Sequence, residues 1–174
     1  MTIRVRRLTE ADAGEYHQLR LRGLREHPDA FTSSYEEERE RPLAWAKARV
    51  VAPRTIVLGA FAEATLVGVL GMSVDPRAKI RHIGQVFGMY VAPEHAGRGV
   101  GKQLLDACIA QARSSPEIEQ LQLTVTETNK RAKALYERAG FRAFGIACNA
   151  VKVEERYYDK CHMSFDLRPA ARRE

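Results

Sequence analysis

Apolar positions recur along this 174-residue chain with two different periods, and the switches between them mark its elements. "TIRVRRL" alternates, with Ile3 and Val5 on one face, and predicts a strand. In "TEAD", Thr9 stands as an N-cap with Asp12 three residues on, and Tyr16, Leu19 and Leu24 carry the helix that follows as far as "EHPDAF". A second helix is expected at "SSYEEERE", capped by Ser33 or Ser34, with Glu36, Glu37 and Glu38 as a solvated first turn that suits the positive end of the helix dipole.

From "TIVLGAF" to "TLVGVLGMSV" two β-rich runs separated by "AEA" predict a hairpin, and "HIGQVFGMYV" a fourth strand. "VGKQLLDACIAQAR" then sets Leu104, Leu105, Cys108, Ile109 and Ala112 on one helical stripe. "LQLTV" alternates as a strand, "NKRAKALYERAG" is a short helix stopped by Gly140, and "FRAFGIA" and "RYYDKCHMSFDL" are strands. The order β-α-α-β-β-β-α-β-α-β-β, without internal repeats, predicts a mixed α/β fold, a mainly antiparallel sheet flanked by helices. One domain is expected over residues 1–168, with a frayed tail over 169–174.

Composition changes this picture little: 45% hydrophobic and 29% charged residues are ordinary for one globular domain. The net charge of +6 is spread among "IRVRR", "LRLRGLR" and "RRE" rather than gathered with aromatics, so no nucleic-acid partner is expected. Cys108, Cys148 and Cys161 lie far apart, with neither a C-x-x-C nor histidines at ligand spacing, so neither disulfide nor metal is expected. With no leader-like segment and no apolar run of membrane-spanning length, the chain is placed in the cytoplasm.

The candidate chemistry starts at "HAGRGVGKQLL", where Gly97, Gly99 and Gly101 precede Lys102 and a helix. Such a turn clears side chains away and lets backbone N–H groups converge on an anion, a charge that the helix N-terminus also favours. Spacing excludes two phosphate loops. A nucleotide P-loop read back from Gly101-Lys102 needs glycine at 96 and a hydroxyl at 103, where Ala96 and Gln103 stand. A G-x-G-x-x-G fingerprint begun at Gly97 meets Lys102, and begun at Gly99 meets Leu104.

A strand ending "MYVAPE", the glycine turn, a helix, a strand and then "N-x-x-A-x-x-L-Y-x-x-x-G-F" together resemble the GNAT family of N-acetyltransferases, most specifically from Gly88 to Phe141. The family's loop pattern [RQ]-x-x-G-x-[GA] falls on residues 96–101, with Ala96 in place of the usual arginine or glutamine. The resemblance implies that acetyl-CoA lies along the fourth strand on backbone groups of Met89, Tyr90 and Val91, beside a bulge at Gly88. Its diphosphate would rest on Gly97, Arg98, Gly99, Val100, Gly101 and Lys102. Asn129 would bond the pantetheine arm or cap its helix, Tyr136 would protonate or hydrogen-bond the departing sulfur, and the Met89 N–H would hold the oxyanion. Possible homodimerisation through the C-terminal strands is implied too.

An alkyl amine with pKa about 10.4 costs about 4 to 5 kcal/mol to deprotonate at pH 7, so a base or water relay is useful. "QVFGMYV" carries no carboxylate. The candidates are His82, Glu36, Glu37, Glu155 and Asp159, and a water relay without a single base is preferred. Phe31, Tyr35 and Tyr158 are the expected walls of an amine pocket, with a carboxylate steering the cation. No cysteine has a sequence partner arguing for an acyl-enzyme, so direct transfer of acetyl to a primary amine of a small molecule or protein is expected. The alternative is a non-catalytic acyl-CoA-binding module.

Overall fold

The computed structural model describes residues 2–168, so the expected tail over 169–174 lies outside the described residues. Strands β1 (Ile3–Arg7), β2 (Thr55–Ala62), β3 (Thr65–Val74), β4 (Ile83–Val91), β5 (Gln120–Thr126), β6 (Arg142–Val153) and β7 (Arg156–Asp166) form a seven-stranded sheet in the order β1-β2-β3-β4-β5-β7-β6. All neighbours are antiparallel except β4 and β5. The helices are α1 (Ala13–Glu26), α2 (Tyr35–Arg39), α3 (Leu43–Val50), α4 (Val100–Arg113) and α5 (Lys130–Ala139).

The apolar stripes read from the sequence face the sheet. On one side Leu104, Leu105, Cys108, Ile109 and Ala112 of α4 join Leu121, Leu123 and Val125 of β5 and Phe141 in the larger core. On the other, Tyr16 and Leu19 of α1 and Ala46 and Val50 of α3 pack against Val57, Phe61 and Tyr90. Gly140 ends α5 in the left-handed region at φ +108°, where a Cβ would stand 2.7 Å from Phe165 Cε2, so only glycine lets the chain pass from α5 into β6 beside that ring.

The expected second helix is two helices. Ser34 caps α2 and its backbone N–H donates to Glu37 in return, as expected of a capping box. The helix then stops at Arg39, because Pro42 cannot continue it and restarts the chain as α3. Nor is the acidic run wholly solvated: Glu36 and Glu37 are exposed, whereas Glu38 is 4% exposed and turned inward. The sixth strand runs six residues further than expected, to Val153, and makes one hairpin with β7 through a tight turn at Glu154 and Glu155.

Two irregularities open the sheet. On β4 the partners of β3 jump from Phe87 to Tyr90, leaving Gly88 and Met89 without register partners, and Gly88 takes φ +64°. The parallel pairing of β4 with β5 involves only Ile83, Gly84 and Gln85 against Gln120, Leu121 and Gln122. Beyond Gln85 the two strands diverge, and a slot lies between them.

Candidate functional site

A cavity of about 460 Å³ occupies the wide end of this slot. Its floor is Met89, Tyr90 and Val91 of β4, one wall is the turn into α4, and the other is α5 with Asn129. Gly97 and Gly99 hold φ +78° and +77°, left-handed conformations that bend the chain back into α4. Gly99 is the N-cap and no side chain caps the helix, so the amides of Val100, Gly101 and Lys102 are left for whatever enters the cavity. Gly101 faces α5 closely, since a Cβ there would stand 3.3 Å from Leu135 Cδ2.

Of the residues expected at the anion site, Gly97, Gly99, Val100, Gly101 and Lys102 line this cavity, and so does Ala96. Arg98 is not among its lining residues. Lys102 bonds Asp106 one turn along, at 2.6 Å. The positive charge that sequence reading missed comes from Arg131 and Arg138 of α5. The signal was there: Arg131, Leu135 and Arg138 follow the i, i+4, i+7 spacing of one helical face.

Asn129 both lines the cavity and caps α5, its side-chain oxygen accepting from the Ala132 N–H at 3.1 Å. A second, smaller cavity of about 100 Å³ continues from the first between the strands, lined by Phe31, Phe87, Gly88, Met89, Thr126 and Tyr136 among others. Tyr136 is 7% exposed, and burial, with a smaller contribution from Cys108, pushes its phenol up to about 12. Its hydroxyl donates to Met89 Sδ at 3.5 Å. At neutral pH it is a protonated hydrogen-bond donor held beside the bulge.

Phe31 lines both cavities, so it stands where an acceptor wall was expected. Tyr35 lies instead in a separate groove along α1, its ring under Arg25, and Tyr158 pairs with Val151 in the outer hairpin and lines neither cavity. The proposed bases are likewise elsewhere. His82 sits at the closed end of the slot, where its carbonyl accepts from the Glu119 and Gln120 N–H groups. Glu37 belongs to the α2 capping box, Glu36 is exposed, Glu155 is in the β6–β7 turn, and Asp159 accepts from the Asn149 N–H at 2.8 Å.

Three buried charged residues that sequence reading missed, the Arg20–Glu38 pair and Lys160, border the slot. Arg20 of α1 gives Nε and Nη2 to the two oxygens of Glu38, and a Cβ built at Gly88 would stand 3.6 Å from Arg20 Nη1. Burial would raise the Glu38 carboxyl, but Arg20's bonds and charge outweigh it and hold the group below its usual range. Lys160 of β7 is 6% exposed and donates to the carbonyls of Asp29 and Ala30 at 3.2 and 3.1 Å and to Thr126 Oγ1 at 2.7 Å. Desolvation lowers its pKa, with Asp29 opposing. These bonds pin the loop between α1 and α2 over the slot.

Among the described residues no His, Cys, Asp or Glu cluster is placed to hold a metal, and no helix is long and apolar enough to cross a membrane. Burial pushes the Cys108 thiol up to about 12, so it carries no nucleophilic thiolate at neutral pH.

Comparison with known proteins agrees with this geometry. The fold matches an acetyltransferase of the GNAT family from Streptococcus pneumoniae with a TM-score of 0.81 and 25% identity, over 95% of this chain and 99% of that one. It also matches a GNAT superfamily phosphinothricin acetyltransferase from Sinorhizobium meliloti, solved with acetyl-CoA, with a TM-score of 0.82 and 20% identity over 96% of this chain and 89% of that one. In sequence, 84 residues are 34% identical to mycothiol acetyltransferase of Salinispora tropica, a stretch spanning 48% of this chain and only 27% of that protein. The model of the acetyltransferase (GNAT) family matches residues 21–141, from α1 through α5 and both cavities, and the chain belongs to that family.

Proposed function

We propose that this chain moves an acetyl group from acetyl-CoA directly to a primary amine. The observation that carries the reading is the open edge of β4, running from the uncapped N-terminus of α4 at one end to the Tyr136 hydroxyl at the other. The coenzyme supplies an activated thioester; the chain supplies placement and charge. Amides of Val100, Gly101 and Lys102, with Arg131 and Arg138 nearby, hold the diphosphate. Backbone groups of Met89, Tyr90 and Val91 take the pantetheine arm as a strand would, and Asn129 closes over it.

The amine nitrogen bonds to the carbonyl carbon, the C–S bond breaks, and the amine's proton leaves through water. Met89 N–H, pitched out of the ladder by the bulge, meets the carbonyl oxygen as it gains charge. Tyr136 faces the departing sulfur. A phenol near 12 does not give its proton outright to a thiolate of pKa about 8.5, so Tyr136 acts by hydrogen bonding, exchanging the Met89 sulfur for that of the thioester. The raised Cys108 thiol supports direct attack over an acyl-enzyme.

Thiol release from acetyl-CoA against a panel of amines, with Tyr136→Phe alongside, tests this. Release with at least one amine, strongly reduced in the variant, is the expected result. Tight coenzyme binding with no release on any amine sinks the reading in favour of a non-catalytic acyl-CoA-binding module.

The same reading extends to the chain's setting. The domain is taken as residues 1–168, and three free cysteines suit a reducing, cytoplasmic compartment. A homodimer through the C-terminal hairpin is supported by the outer edge of β6, which among the described residues no strand pairs, and by exposed Phe144, Ile146 and Tyr157. Sedimentation showing only monomer removes that assignment.

A further inference from the structure

The face of the slot opposite Tyr136 has a composition of its own. Arg20, with Glu38 on its Nε and Nη2, turns Nη1 toward Gly88. Phe31, lining both cavities, has the Arg20 guanidinium 5.9 Å from its ring centroid. Phe87, lining the inner cavity, has the guanidinium of Arg49 5.4 Å from its own centroid, and that guanidinium is also 5.4 Å from the ring of Trp45. Arg49 Nε donates to Tyr16 Oη at 2.9 Å, which fixes the group without neutralising it.

Charge counting gives this face its character. Arg49 stands close enough to Glu38 to help hold the carboxylate ionised, yet among the described residues it has no carboxylate within ion-pair distance. Two guanidinium groups therefore share one carboxylate, and that carboxylate's two oxygens are both engaged by Arg20. Neither guanidinium lines either cavity: Arg20 and Arg49 stand against the rings of Phe31 and Phe87, which do, so a positive charge lies next to the aromatic lining at the bulge where an acceptor nitrogen has to arrive. A polycationic amine meets repulsion there. An amine that brings its own anion is drawn in, and planar guanidinium edges suit a carboxylate.

We propose, resting on the acetyl-transfer reading above, that the acceptor is a small amine bearing a carboxylate close to the nitrogen, an amino-acid-like molecule, with Arg49 and the Nη1 edge of Arg20 as the groups that receive the carboxylate. Glu38 is then the positioning residue that keeps Arg20 in place. The geometry orders the site in three steps. The carboxylate anchors on the guanidinium face, the carbon skeleton passes between Phe31 and Phe87, and the nitrogen reaches the bulge.

The test uses the intact protein and acceptors in matched sets: an amino acid, its carboxamide, and the amine left by removing the carboxyl group, together with a polyamine and a short peptide with a free N-terminus. Thiol release gives kcat/KM for each. The expected result is a preference for the amino acid over its carboxamide and its decarboxylated amine of about tenfold or more, the scale of a charge-assisted contact. Arg49→Leu shrinks that ratio toward one through KM, and Arg49→Lys restores part of it. The wild-type ratio needs no variant to fold.

Equal or better turnover of the decarboxylated amine, the polyamine or the peptide overturns the carboxylate assignment while leaving acetyl transfer standing. Coenzyme binding without thiol release on any acceptor overturns both.

Discussion

The Tyr136 hydroxyl reaches across from α5 to Met89 Sδ, at 3.5 Å, and so spans the bulge of β4 from the side opposite Arg20. On the proposals above, donor chemistry and acceptor recognition fall on different faces of one sheet.

Tyr136→Phe keeps the ring that packs on Phe141 and removes only the hydroxyl. The expected outcome is a kcat lower by about a hundredfold, with a melting temperature within a few degrees of the parent because the lost bond is a weak one to sulfur. Thiol-release kinetics beside calorimetry check the pair of expectations. An unchanged kcat removes Tyr136 from the chemistry.

Ala96 takes an extended conformation, φ −67° and ψ 149°, and is exposed at the rim of the larger cavity, so a longer side chain fits without strain. Ala96→Arg is expected to tighten acetyl-CoA binding about tenfold by adding a charge-assisted contact to the diphosphate. Titration calorimetry at two salt concentrations reads the change and its electrostatic share. An unchanged Kd would mean that the α4 amides and the α5 arginines already saturate the anion.

Glu38→Gln leaves Arg20 buried without its counter-charge. Breaking one side of a buried pair costs about 3–5 kcal/mol, so a large fall in denaturation midpoint is expected. Replacing both, as Arg20→Met with Glu38→Leu, is expected to recover most of it while destroying carboxylate selectivity. Additive losses in a double-mutant cycle would show that the two residues act independently.

Two hydrogen bonds from Arg6, outweighing burial, hold the Asp12 carboxyl well below its usual range, and the Thr9 N–H adds to the effect. A depressed folded pKa stabilises the native state above the unfolded value of 3.8 and ceases to do so as pH falls through the folded value. Thermal midpoints are therefore expected to fall with pH below about 4. In Asp12→Asn the midpoint starts lower at pH 7, and the two curves approach each other in acid. Parallel curves across that range contradict the assignment.

The parts of this molecule legible in its sequence are those whose partners lie nearby along the chain. Gly97 to Lys102 form one turn, Asn129 and Tyr136 share a helix, and the apolar stripe of α4 is a local periodicity. The buried charges beside the bulge were not legible for the converse reason. Glu38 differs from Glu36 and Glu37 only in where α2 stops and how Arg20, on another helix, meets it. Tyr35 and Tyr158 satisfied composition but not direction: one projects onto α1 and the other lies in the hairpin's outer half. Lys160 looks like any strand lysine until the loop it bonds is folded over it.

That lysine has an evolutionary consequence. β4 and β5 are tied at one end by only three residue pairs, and at the other Lys160 clasps a loop that continues from α1, a helix seated on β3 and β4. What Lys160 grips in that loop is main chain, the carbonyls of Asp29 and Ala30, not side chains. The loop can therefore exchange the residues it shows to an acceptor without changing how far the slot is held open. Substrate choice and reaction geometry are left free to drift apart, one rewritten by substitution while the other stays fastened.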